Sequence, residues 1–125
     1  MKKTIGILGG MGPLATADLF CKIITHTQAS KDQEHIPILI DNNTAIPDRT
    51  TALLHGGDDP MPEMTKSAKR LEAAGADVLI MPCNIAHNYF ELLQQQVNIP
   101  FLNMIDLTCQ VMLEKGVTTA GLLAT

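Results

Sequence analysis

Aromatic side chains are scarce in this chain. Its 125 residues include three Phe, one Tyr and no Trp. A core must therefore be aliphatic, and with 46% hydrophobic residues there is enough Ile, Leu, Met, Val and Ala to build one in a single domain. Basic residues are also few. Nine Lys and Arg stand against thirteen Asp and Glu, giving a net charge of −4, and no basic run is present. That balance excludes nucleic acid and anionic membrane as natural partners. No apolar run approaches the ~18 residues of a membrane span. The stretch Thr4 to Leu8, behind Lys2 and Lys3, is cut short by Gly9, Gly10, Gly12 and Pro13, with Asp18 and Lys22 following, so it is not read as a secretory leader. The three cysteines, Cys21, Cys83 and Cys109, are far apart and show neither CxxC nor Cys/His spacing. A disulfide framework and a zinc site are thus not expected, and a reducing cytoplasm is the expected location of an unprocessed chain.

What is present is an alternation of short apolar runs and helical patterns. Ile5 to Leu8 reads as a buried strand, and Leu14 to about Ala29 as a helix with Ala17, Phe20, Ile24 and Thr27 on one face and Pro13 in its first turn. Ile36 to Ile40 is a second strand. Pro62 to Ala74 is a helix that turns Met64, Ala68 and Leu71 inward and closes at Gly75. Val78 to Met81 is a third strand. Asn84 is placed to cap a helix reaching about Gln96, with Ala86, Phe90, Leu93 and Val97 on one face. Phe101 to Asn103 is a short strand, Asp106 to Lys115 a helix stopped by Gly116, and Ala120 to Leu123 the start of a fifth strand. This order predicts an α/β fold with a doubly wound parallel sheet. Two features stand outside the pattern. Asp41 to Pro60 puts roughly 20 residues between strand and helix, a length typical of functional loops or of loops with an element of their own. The chain also stops at Thr125, where a connecting loop and covering helix are expected to follow.

Open parallel sheets bind ligands beyond the carboxyl ends of their strands. Four groups are expected there: Gly9 to Gly12, Asp41 to Thr44, Pro82 to Asn84, and Asn103 to Asp106. Cys83 is the sharpest. Between a strand end and a helix start it faces helix N–H groups, which favour a thiolate able to exchange a proton; the plainer reading is a small buried hydrophobe. Cys21 and Cys109 fall mid-helix and are read as packed. Arg49, among Asn42, Asn43, Thr50 and Thr51, suits a bidentate grip on a carboxylate, or else is a solvated surface residue beside Asp48. Gly10-x-Gly12-x-x-Ala15 with Asp41 loosely matches a dinucleotide fingerprint, although Pro13 removes a donor; the bland reading is a tight turn around any small anion. His87, four residues after Cys83, either meets the thiol or orients the helix start; the plainer and slightly favoured reading is a satisfied helix residue. His26, His35 and His55 show no ligand spacing.

Taken together, four segments resemble the aspartate/glutamate racemase family: Ile5-Gly6-Ile7-Leu8-Gly9-Gly10-Met11-Gly12-Pro13-Leu14-Ala15-Thr16, Ile46-Pro47-Asp48-Arg49-Thr50, Met81-Pro82-Cys83-Asn84-Ile85-Ala86-His87 and Gly121-Leu122-Leu123-Ala124-Thr125. The resemblance runs in order over essentially the whole chain. It implies racemisation of an acidic amino acid without pyridoxal phosphate or metal. The site lies between two similar domains, each supplying one cysteine: one thiolate removes the α-proton and the opposite thiol reprotonates the other face. Carried onto this chain, it makes Cys83 catalytic. It assigns the substrate to Met11, Asn43, Arg49, Thr50, Thr51, Asn84, Ile85 and Ala86.

Two departures are visible. Ile85 stands where the family usually has Thr, which removes one hydroxyl from the substrate's surroundings. Against that resemblance, residues 1–118 are expected to correspond to the first domain and 119–125 to a strand leading into a second, whose cysteine is expected to lie outside this chain. Hydantoin racemase, maleate isomerase and malonate decarboxylase types remain alternatives, as does a binding or dimerising fragment without catalysis. The expected partners are a small-molecule substrate and a second copy in a homodimer. The 125-residue chain alone is expected not to racemise at a useful rate.

Overall fold

The computed structural model describes residues 1–124. Its centre is a parallel sheet of β1 (Ile5–Gly9), β2 (Ile38–Asn42) and β3 (Val78–Ile80) in the order β2-β1-β3. The register pairs Ile5 with Ile38 on one side and Ile5 with Val78 on the other. Around it stand α1 (Pro13–His26), α2 (Arg49–His55), α3 (Met61–Ala73), α4 (Phe90–Gln94) and α5 (Met104–Glu114). The doubly wound α/β expectation is met. Gly6 and Leu8 of β1 face α3, and Gly9 on the alternate side faces Thr16 of α1.

The α3 side carries the core. Met64, Ala68 and Leu71 recur at helical spacing and pack with Leu8, Leu79, Met81, Ala86, Leu93 and Phe101. Gly6 permits this closeness, because a Cβ there would run into the side chains of Leu79, Ala76 and Leu71. The opposite side is thinner. In α1 only Thr16 is buried, and in α5 no residue is.

Several expected elements change at their edges. β2 begins two residues later than its apolar run, so Asp41 and Asn42 lie inside the strand; pairing with β1 decides the register, and Leu8 and Gly9 stand opposite them. The long loop contains α2, begun by Asp48, whose carboxylate accepts the Thr51 N–H (2.6 Å). The single helix expected from Asn84 to Gln96 is instead a 3-10 helix, Ile85–Tyr89, followed by the short α4, and the Asn84 side chain caps neither. The strand at Phe101 to Asn103 shrinks to one parallel bridge, Leu79 with Phe101. Ala120 to Leu123 form no strand. A strand needs a ladder partner, and here Leu122 and Leu123 stand exposed. Thr125 lies outside the described residues.

Candidate active site

The chain leaves β3 through Met81, which is 1% exposed, and turns at once as the Cys83 N–H donates to the Met81 carbonyl (3.0 Å). This inverse-γ-like turn lifts Cys83 out of the sheet at its carboxyl edge. The thiol is free and half-buried, packed against the cluster that holds Met11, Ile46, Met81 and Ala86. The 3-10 helix follows immediately, and α2, which begins with Arg49, packs against it. Two loops far apart in sequence are thereby brought to one place. With only five residues, the 3-10 helix aligns fewer peptide dipoles on Cys83 than the long helix expected there.

The β1 loop is locked from within. Gly10 has φ +93°, and a Cβ there would collide with the backbone of Asn43. The Gly10 N–H donates to Thr16 Oγ1 (3.0 Å), whose hydroxyl donates in turn to the Gly12 carbonyl (3.2 Å). Asp41 is held by Arg70, through Nε (3.0 Å) and Nη2 (2.8 Å). The two groups that a dinucleotide would need, a free loop N–H and a strand-end carboxylate, are both engaged internally, which disfavours that reading.

The residues singled out for substrate divide by burial. Met11 and Ala86 are side chains of the core cluster. Asn43 is 8% exposed and fully engaged: its amide donates to Ser67 Oγ (3.0 Å) and Glu63 Oε2 (3.4 Å), and its Oδ1 accepts the Ala45 N–H (3.0 Å). Arg49 is half-buried, with Nη1 on the Pro47 carbonyl (2.9 Å) and, more loosely, the Ile46 carbonyl (3.4 Å), while its buried Nε has no protein partner. Thr50 and Ile85 are half-buried; Thr51 and Asn84 are exposed. Hydrogen bonding by the Thr51 N–H holds the Asp48 carboxyl below its usual range, and Lys66 and then Asn43 do the same for Glu63.

Cys21 and Cys109 are exposed rather than packed, because the helices that carry them bury almost nothing. One neighbour of Arg49 was poorly legible in sequence. The Tyr89 phenol is pushed up mainly by burial and also by Asp59, with Arg49 opposing; its only sequence signal is a lone Tyr near the cysteine. His87 meets the Cys83 carbonyl through Nδ1 (2.7 Å). A cleft of about 590 Å³ lies on the α1/α5 side among Leu19, Met81, Pro82, Leu107 and Val111 and is almost wholly apolar.

The cysteine turn after β3 and the glycine turn after β1 thus share the carboxyl edge of one parallel sheet, with α2 packed on the 3-10 helix that follows the cysteine. The chain belongs to the Asp/Glu/hydantoin racemase family, whose description matches residues 8–125. It is 32% identical over 108 residues to the broad specificity amino-acid racemase RacX of Bacillus subtilis, covering 83% of this chain and 47% of that one. The aspartate racemase of Picrophilus torridus superposes with a TM-score of 0.83 at 38% identity, covering 91% of this chain and 48% of the other. An aspartate racemase homologue from Pyrococcus horikoshii OT3 gives 0.76 at 28% identity, covering 93% and 50%. The chain thus spans about half the length of the relatives it matches. None of the described helices is long and apolar enough to cross a membrane.

Proposed function

We propose that this chain carries one half of a cofactor-independent racemase site for aspartate or glutamate, in a reducing, cytoplasmic setting, with Cys83 as the proton carrier. The observation that carries the reading is the placement of Cys83: a half-buried free thiol at the sheet's carboxyl edge, on the turn that leads into the 3-10 helix against which α2 is packed. The Cys83 thiolate takes the α-proton and becomes a thiol, and the electron pair left on the α-carbon is delocalised into the substrate carboxylate. Arg49 holds that carboxylate through its guanidinium, helped by Thr50, Thr51 and the backbone around Met11. Asn84, Ile85 and Ala86 form the wall beside the thiol, and Asn43 acts by shaping the β1 and β2 loops. A weak carbon acid needs such positioning and charge stabilisation, since a thiolate alone is a poor base for it. Inversion also needs an acid on the opposite face, and Cys21 and Cys109 are carried on α1 and α5, not at this turn. Residues 1–118 are proposed as the half-site domain and 119–125 as the lead into a second one.

The test is incubation with L-aspartate and L-glutamate in D₂O, with NMR following α-deuterium and chiral analysis following the D-isomer. The expected result is slow deuteration with retained configuration, lost in Cys83→Ala. Rapid D-isomer formation by this chain would overturn the half-site reading, and absence of α-exchange with both amino acids would overturn Cys83 as their base. Ile85 keeps a second substrate class open, 5-substituted hydantoins, which form a third arm of the test. The exposed apolar residues of α1 and α5 support a homodimer, and a single monomeric species in sedimentation at micromolar concentration would contradict it.

A further inference from the structure

His87 is 8% exposed and sits on the 3-10 helix directly after the cysteine turn. Its two ring nitrogens have partners of opposite kind. Nδ1 lies 2.7 Å from the Cys83 carbonyl, which can only accept. Nε2 lies 3.2 Å from the Met104 backbone N–H, which can only donate. The partners therefore require the neutral imidazole with the proton on Nδ1. The ring is clamped as well, stacked on Phe90 at a centroid distance of 6.1 Å and an interplanar angle of 5°, with Phe90 edge-on to Phe101.

The Met104 N–H is one of the donors that the start of α5 leaves without a helical partner. Asn103 Oδ1 accepts the next two, from Ile105 (3.0 Å) and Asp106 (3.1 Å). His87 thus completes the cap of α5 with one nitrogen and holds the carbonyl of Cys83 with the other. Among the described contacts it joins the cysteine turn to a helix that buries none of its own residues.

We infer that His87 is a positioning residue: as the neutral Nδ1–H tautomer it fixes the Cys83 turn, and with it the direction of the thiol, to the start of α5. The inference takes its functional meaning from the proposed role of Cys83, but its test needs no turnover. In a Cys21→Ser, Cys109→Ser background, which removes the two exposed thiols, iodoacetamide reports Cys83 alone. His87→Phe keeps the ring stack and removes both hydrogen bonds; the freed turn should alkylate about tenfold faster, since a loosened turn opens more often and exposes the half-buried thiol. His87→Asn restores a donor at the Nδ1 position but no acceptor for Met104. It should bring alkylation back to within about twofold of the parent, while the Met104 amide exchanges faster with solvent. The ¹⁵N shifts of His87 in the parent should place the proton on Nδ1 and leave Nε2 bare. A folded His87→Phe with the parent's alkylation rate, an Asn variant as fast as Phe, or a proton found on Nε2 each overturns the inference. Should Phe fail to fold, the Asn variant and the ¹⁵N shifts still decide it. Failure of α-deuteration in the parent, with these results intact, would overturn the proposed chemistry and leave the tether standing.

Discussion

On one side of the sheet, α3 sets Met64, Ala68 and Leu71 into a cluster that also takes in Leu8, Leu79, Leu93 and Phe101. On the other, α1 buries Thr16 and α5 buries nothing, and Phe20, Ile24, Leu107 and Val111 remain at least a third exposed. Composition does not explain the difference, because α1 and α5 are more apolar than α3 and yet less buried. What differs is how much partner surface reaches them. The α3 side is closed by the 3-10 helix, α4 and the Phe101 segment, whereas α1 and α5 leave an apolar cleft of about 590 Å³ between them. Fold stability should therefore be concentrated on one side, while the site sits at the edge where the two meet.

The sharpest way to break this comparison is truncation on each side. Met64→Ala, at a fully buried position, should cost about 2–5 kcal/mol in urea unfolding. Leu107→Ala on α5 should cost under about 1 kcal/mol. Equal losses would mean that the open side carries more of the stability than its burial suggests. Next comes the seam. Gly10→Ala must place a side chain at φ +93° against the Asn43 backbone and should cost about 1–3 kcal/mol, read by thermal unfolding. An unchanged melting temperature would show that the β1 loop moves aside freely.

A smaller effect concerns acid. The Asp48 carboxyl is lowered by its hydrogen bond to the Thr51 N–H. A depressed carboxyl contributes stability above its unfolded pKa, and that contribution is lost as pH falls through the folded value. Protection of the Thr51 amide from exchange should therefore decline below about pH 4 in the parent. In Asp48→Asn, which keeps an oxygen acceptor without a charge, the decline should vanish. Persistence of the same decline would place the titrating group elsewhere. The smallest effects are expected at Cys21→Ser and Cys109→Ser, each within about 0.5 kcal/mol by urea unfolding, because both side chains are exposed. Losses of several kcal/mol there would restore the packed reading of those helices.

Sequence alone went far toward the class of fold. The apolar run Ile5 to Leu8 ending at glycines, the helical spacing of Met64, Ala68 and Leu71, and the strand-to-helix passage at Cys83 are local patterns. Local patterns survive folding because side-chain spacing sets which face of an element is apolar. The same spacing placed Ala86, Leu93 and Val97 inward correctly even though their helix divides in two. Tertiary structure alone decided where β2 begins, because hydrogen bonding to β1 sets its register. It reduced the Phe101 strand to one bridge and left Cys21 and Cys109 in the open, since burial depends on what else arrives at a surface. It also gave His87 its two partners. The Cys83 carbonyl is four residues away and within reach of a helix pattern, but the Met104 N–H is 17 residues away and meets the ring only once the start of α5 has docked beside the cysteine turn.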